Sequence, residues 1–573
     1  MILAQAKTEI IKLLKTASGV KTLNEADLVL PPNLKLGDLS FPCFSLAKVL
    51  KNSPQAIAIE LHKKIQPTGL IAKTEAAGPY LNFFLNRKEI TKSTLNVGRG
   101  LVPRRGGEQA PALHGQRIMM EFVSPNNNKP LHLGHLRNAF LGESVARLLE
   151  SQGAKVIRAC LFNDRGLSIA KSMVAYKLWN KGKTPTKIKV KGDKFVGDLY
   201  VEFEKKSKDN PQLADEAAKT VVLWEKDDKE TKQLWKTLNT WVLGGFAQTL
   251  KRSDIKFNLS YFESKLWKQG KKLVEEGIKR KIFTKDKTGA VMANLANFNL
   301  PPKVMIRSNG TAIYSTSDLF LGKEKFEKNK LTKAIWCVGS EQDLYLKQLF
   351  SIYQSFGFSW AKNCEHLSYG LVFLPEGKMK SREGKVVEAD DLLNELYTMV
   401  VEEIKVRHKL SATEIKKRAE LIAQAALRFY LLSVTPKTIV HFNPKESIAF
   451  TGHTGPYLLY TYARIASILK KADKQKLISK SYKLQANDLE WQLIFRLARF
   501  PEVVREAALQ YDPSHLAQYL YDLAKNFSEF YEAVPVLKAE PQTRAARLNL
   551  LRAVQNTMDN GLKLLTIKPI KEM

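Results

Sequence analysis

The chain is predicted to be an α/β protein, with a doubly wound parallel-sheet core between a small mixed N-terminal unit and a helical C-terminal bundle. Three observations predict it. RIMMEFVS and AKVIRACLFND read as buried strands, and the helical pattern LGHLRNAFLGESVARLLESQG lies between them. Strand, helix and strand in that succession make a right-handed βαβ unit. Strand readings return at AIWCVGS and HLSYGLVFL, and beyond about residue 396 amphipathic helical periods run from DLLNELYTMVVEEIKVRHKL to LNLLRAVQNTMDNGLKLL.

In order, residues 1 to about 86 alternate helix-like and strand-like patterns and finish in the apolar strand reading GPYLNFFLN. NVGRGLVPRRGGEQAPALHGQ has the composition of a linker. The first unit with its linker is taken as 1–115, the α/β unit as 116–395 and the bundle as 396–573. A lysine-rich, mostly helical stretch over about 180–300 reads as an insertion between two halves of the sheet. There is no internal repeat and no low-complexity tract.

At 573 residues the chain is too long for one core. Its 91 lysines and arginines against 57 acids give a net charge of +34, a field that favours polyanions such as nucleic acid. Cys43, Cys160, Cys337 and Cys364 form no paired ligand spacing, which argues against a structural zinc and for a reducing compartment. MILAQAKTEIIKLLKTA lacks the unbroken apolar core of a signal peptide, and no run approaches a membrane span. A cytoplasmic protein is expected.

Two stretches carry chemistry. NNNKPLHLGHLRN, at 126–138, puts His132 and His135 where a strand hands over to a helix. A helix N-terminus attracts phosphate, and two imidazoles there can hydrogen-bond oxygens as charge builds during displacement at phosphorus. Gly134 would let a base or ribose pack on backbone. Surface histidines at an ordinary helix start are the competing reading. GKMKSREGKVVEADDLL, at 377–393, is a cationic loop with Lys378, Lys380, Arg382 and Lys385, able to close on a triphosphate. A solvated charged turn would look the same.

Together, in this order, these stretches resemble the paired nucleotide-binding signatures of class I aminoacyl-tRNA synthetases. EFVSPNNNKPLHLGHLRN, FNDRGLS, YSTSDL, GSEQDLYLKQLF, GKMKSREGK and HTGPYLLYTYARI more specifically resemble arginyl-tRNA synthetases, and the resemblance covers nearly the whole chain. It implies a Rossmann-type catalytic core, a small α+β N-terminal tRNA-binding domain and an all-α C-terminal anticodon-binding domain. It implies ATP as substrate with Mg2+, L-arginine and tRNA-Arg as partners, no zinc and a monomer. Arginine would be activated to arginyl-adenylate, then passed to the terminal adenosine of the tRNA.

By the same resemblance, Glu121, Asn126, Tyr314, Asp318 and Gln342 bind arginine. Carboxylates suit a guanidinium, a planar fork of donors. Lys129, His132, Gly134, His135, Asn138, Lys378, Met379, Lys380 and Ser381 meet ATP, with Gln152 a further candidate. The loop departs from the K-M-S-K-S pattern, since its fourth position is serine, and Lys129 is expected to supply the missing charge. Tyr457, Tyr460, Arg464 and Met573 would meet the anticodon, and Tyr80 and Asn82 the tRNA elbow. Another class I synthetase would lack the Glu121, Tyr314 and Asp318 set. A non-catalytic tRNA-binding paralogue would lose the histidines.

Overall fold

The computed structural model describes residues 2–96, 112–374, 387–407, 410–475, 477 and 486–573. Five strands form the central sheet: β1 (Arg117–Glu121), β2 (Lys155–Phe162), β3 (Leu259–Phe262), β4 (Lys333–Gly339) and β5 (Cys364–Tyr369). They lie in the order β5-β4-β1-β2-β3, every pair parallel. β1 is apolar between Arg117 and Glu121 because both of its faces are covered, so Ile118, Met119 and Met120 are all buried. The strand order reverses between β1 and β4. In open sheets of this kind, ligands bind outside the strand carboxyl ends at that point.

Helix α1 (Leu133–Ser151) packs on one face, against Met120, Cys160, Ile335 and Cys337. The helix Glu263–Lys279, α2 (Tyr314–Asn329) and α3 (Asp343–Ser355) cover the other, against Met119, Ala159, Ala334 and Trp336. α1 is buried almost all round, because its far side meets the C-terminal helices Ala412–Leu432, Asp488–Leu509 and Pro541–Leu564. Gly142 lets α1 close on the exit of β1, since a Cβ there would stand 2.5 Å from Phe122 Cγ.

The lysine-rich stretch is not one helical insertion over 180–300. It is helical in four pieces, Gly192–Lys206, Gln212–Glu225, Lys229–Arg252 and Glu263–Lys279, with β3 of the core sheet between the last two. Phe283–Lys285, Val291–Ala293 and Lys303–Ile306 then fold a separate antiparallel sheet. A four-residue edge strand is too short for its periodicity to stand out among helices. HLSYGLVFL likewise splits. It breaks at Gly370, whose Cβ would meet Thr438 O at 2.5 Å, and Val372–Phe373 pairs with Val440–His441.

The N-terminal unit sets helices Ile2–Ser18, Phe44–Leu50, Pro54–Lys64 and Arg87–Asn96 on an antiparallel sheet ordered Leu39–Pro42, Tyr80–Leu85, Ile71–Ala77. It docks on the C-terminal helices through polar ties. Trp491 Nε1 donates to Asp38 Oδ1 at 2.8 Å, and Arg87 pairs with Asp488 at 3.1 Å. Among the described residues no helix is long and apolar enough to cross a membrane.

Candidate active site

The C-terminal edge of the sheet carries an acidic pocket on one face and an imidazole-bearing turn on the other. Glu121 ends β1 and pairs in register with Trp336 of β4, so its side chain shares the face covered by α2 and α3. Asp318, on the first turns of α2, faces the same pocket. The charge of Glu121 acts on it, pushing its carboxyl upward. Burial pushes harder, and against both work a 2.5 Å hydrogen bond from Tyr345 and the charges of Lys325 and Lys303, leaving Asp318 at about 6. Tyr314 is exposed at the mouth, its ring 4.8 Å from that of Tyr345 and its hydroxyl 3.3 Å from Lys303 Nζ. Asn126 and Gln342 are exposed along the same edge. Glu263 lies deeper, 3.9 Å from Arg165, and burial pushes it up to about 8 in spite of that cation.

The turn after β1 is strained. Val123 and Ser124 have φ of 71° and 35°, a region costly for a β-branched side chain. Asn138 holds it there. Its Oδ1 accepts from Val123 N at 2.5 Å, and its Nδ2 donates to Cys337 O at 2.7 Å and Tyr369 Oη at 3.0 Å. Asn138 therefore staples β1 to β4 across the switch point.

His132 caps α1, accepting from Gly134 N at 3.2 Å, while His135 Nδ1 accepts from His132 N at 3.2 Å. Leu133 N is taken by Val387 O, and His135 N and Leu136 N by His132 O. The helix amides are thus already engaged, and the imidazoles are what the turn can offer an anion. Both rings accept at Nδ1, so their protons sit on Nε2, which is free to donate. Burial and the nearby Lys129 charge push His132 down to about 3, and His135 is lowered in the same way. Gly134 has an internal reason as well: a Cβ there would stand 3.0 Å from His132 Cε1. Gly197 of the lysine-rich stretch admits Pro130 just as closely, at 2.7 Å, and so seats the turn that bears Lys129.

The second stretch comes to this turn from its exit. Ala389 N donates to Leu131 O at 2.8 Å, and His132 bridges Glu388. Its entry is tied by buried Arg137, which donates to Leu371 O at 3.2 Å, Pro436 O at 2.9 Å and Thr438 O at 2.8 Å. Lys378, Met379, Lys380 and Ser381, with Arg382 and Lys385, lie outside the described residues. Gln152 does not belong to the site. It closes the far end of α1, about 30 Å from His132 along the helix axis. Among the described residues no group of three His, Cys, Asp or Glu is arranged to hold a metal ion.

In the bundle, Tyr460 and Met573 line one cavity of about 220 Å3 with Arg418, Phe450, Ile404 and Ile422. Arg464 stacks 4.6 Å from the Tyr460 ring and 5.5 Å from that of Tyr531. Tyr457 turns inward instead, its hydroxyl 3.2 Å from Ser528 Oγ. In the N-terminal unit Asn82 is buried, accepting from Ser40 at 2.6 Å, while Tyr80 is exposed edge-on to Phe44.

The sequence reading missed Lys303, Lys325, Tyr345, Arg418, Phe450 and Tyr531. Only Lys325 left a signal: seven residues after Asp318, it falls on the same helical face.

Comparison with known proteins agrees along the whole chain. Residues 100–442 match the family described as tRNA synthetases class I (R), catalytic domain. Residues 458–573 match a DALR anticodon binding domain, and 4–85 an arginyl tRNA synthetase N terminal domain. An arginine–tRNA ligase of Treponema denticola is 43% identical over 94% of this chain and 93% of that protein. One of Treponema pallidum is 39% identical over 97% and 96%. The solved arginyl-tRNA synthetase of Thermus thermophilus superposes with a TM-score of 0.78 at 26% identity, over 100% of both chains. Domain by domain and over its full length, the chain belongs to the arginyl-tRNA synthetase family of class I tRNA synthetases.

Proposed function

We propose that this chain is an arginine–tRNA ligase, activating L-arginine with ATP and transferring it to the 3′-terminal adenosine of tRNA-Arg. The observation that carries the reading is the meeting of Glu121 and Asp318, from separate elements, at the switch point of the sheet. A guanidinium has only donors to offer, and two carboxylates with Tyr314 answer it. A neutral or differently shaped side chain would strand those acceptors, a loss worth roughly 10⁴-fold in selection.

An oxygen of the arginine carboxylate attacks the α-phosphorus of ATP. One P–O bond forms as the bond to pyrophosphate breaks, giving arginyl-adenylate. His132 and His135 meet the charge that grows on phosphate oxygens with Nε2–H donors, and Lys129 adds a positive field beside them. Magnesium enters with ATP as part of that substrate. A ribose hydroxyl of the tRNA then attacks the acyl carbon and AMP departs. Asn138 holds the edge rigid between the two ligands.

The bundle cavity with Tyr460, Arg418 and Met573, beside Arg464, suits an unstacked anticodon base. Tyr80 with Phe44 is the surface offered to the tRNA elbow. Net charge of +34 makes tRNA binding weaken steeply with salt. The test is amino-acid-dependent exchange of pyrophosphate into ATP, run with each of the twenty amino acids and with tRNA present. Exchange with arginine alone is expected, and exchange driven by another amino acid would refute the reading.

A further inference from the structure

Helix α2 returns one more side chain to the acidic pocket. Lys325 stands seven residues beyond Asp318, two turns along the same face. Only 1% of its side chain reaches solvent. Its ammonium donates to Glu121 Oε2 at 2.5 Å and lies 4.4 Å from the ring centre of Trp336, the residue in register with Glu121. Its charge also reaches Asp318. A lysine this deep is costly to keep, and the attraction of a buried pair does little more than repay its desolvation. Fold stability alone therefore gives a weak reason for a cation here.

Its effect on the pocket is larger. Glu121 and Lys325 cancel, and the charge that remains against Asp318 is that of Lys303, held at the mouth beside exposed Tyr314. We propose that Lys325 is a specificity-determining positioning residue: it fixes the Glu121 carboxylate and cancels its charge, so that of the two carboxylates Asp318 is the one left to answer the charge of a guanidinium. This rests on the reading of the pocket as the arginine site. Without the ammonium, two carboxylates would face each other in a low dielectric, and one would take up a proton. A protonated acid turns a donor toward a guanidinium that can only donate. With the ammonium in place, Oε2 is anchored and Oε1 keeps its lone pairs for the ligand.

The test compares wild type, Lys325→Met and the double variant Glu121→Gln/Lys325→Met in pyrophosphate exchange with tRNA present, alongside thermal midpoints. Lys325→Met should raise the KM for arginine by about tenfold or more, the worth of a charged hydrogen bond, while the KM for ATP stays within about twofold. Its midpoint should fall, because a buried carboxylate is left alone. The double variant removes that stranded charge, so it should regain most of the midpoint and none of the arginine KM.

A lysine acting only on the fold would lower the midpoint of Lys325→Met and leave the arginine KM of the folded variant where wild type has it. Parallel recovery in the double variant, or an arginine KM within about twofold of wild type in Lys325→Met, overturns the proposal. Should Lys325→Met fail to fold, Lys325→Gln takes its place: a KM for arginine within about twofold of wild type overturns the proposal. Wild type is the control for the reading beneath. Exchange driven by another amino acid refutes the arginine site itself, whereas normal arginine exchange with an unmoved Lys325→Met refutes only the role of the lysine.

Discussion

Asp318→Asn should stabilise the empty protein at pH 8 while destroying its grip on arginine. Burial, with the charge of Glu121, lifts this carboxyl from 3.8 to about 6. The ionised form is therefore penalised in the fold. About two units at about 1.36 kcal/mol each set an upper bound near 3 kcal/mol. Asp318 is only half-buried at its surface, and solvent screening reduces this to about 1–2 kcal/mol. The sign follows from the raised pKa. The penalty is absent below pH about 4, where the acid is protonated folded and unfolded alike, and is complete above pH about 6. Asparagine keeps an oxygen for the Tyr345 hydroxyl, so the midpoint gain of the variant should grow between pH 4 and 8. Loss of the charged partner should raise the KM for arginine by about 10–100-fold. Thermal midpoints across pH and steady-state exchange measure the two effects. A variant less stable than wild type at pH 8, or one with an unchanged arginine KM, would refute the reasoning.

The same group should give wild type an acid limb. kcat/KM for arginine should fall about tenfold per unit below pH about 6, as Asp318 protonates, and Asp318→Asn should lack the limb. His132→Ala should lose the helix cap, costing about 1 kcal/mol in melts, and slow pyrophosphate exchange as well. His132→Asn should keep the cap and lose only the exchange rate. Lys129→Ala should cut ATP consumption strongly and spare tRNA affinity in filter binding; near-normal turnover would reject Lys129 as the compensating charge. Gly142→Ala should drive a methyl into Phe122 and cost about 1–3 kcal/mol in thermal stability.

The architecture was legible where patterns were long. α1, the buried strands β1 and β4, and the run of C-terminal helices all declare themselves by periodicity. β3 did not, because four residues at a sheet edge carry too little pattern. Asp318 and Glu121 were singled out only through family resemblance, since nothing local in YSTSD or RIMME marks a ligand. Lys303, Tyr345 and Lys325 were hidden for another reason. Their roles exist only once helix, strand and antiparallel sheet are brought together, and each looks like an ordinary surface lysine or core tyrosine in the sequence. His132 shows a third kind of gap. Its position at the helix start was readable, yet its use of Nδ1 as the cap, which decides where its proton sits, is a property of the folded turn.

The distribution of charge separates two tasks that the overall composition blurs. A chain of net +34 gathers Glu121, Asp164, Glu263 and Asp318 together, with Lys325 paired to Glu121, Arg165 to Glu225, and Lys303 beside Tyr314. At short range in a dry pocket Coulomb energies are several-fold larger than at the surface, so in the proposed arginine site the local acids outweigh the net charge of the chain. On the other face of the edge the side chains proposed to meet phosphate are neutral imidazoles, with the charge of Lys129 nearby. Neutral donors bind a ground-state triphosphate less tightly than a row of cations would, and their hydrogen bonds strengthen as charge grows on the phosphate oxygens. Such binding favours the transition state over the bound substrate, which is the condition for raising kcat as well as lowering KM. On the proposed reading, the low basicity of His132 and His135 is therefore part of the chemistry.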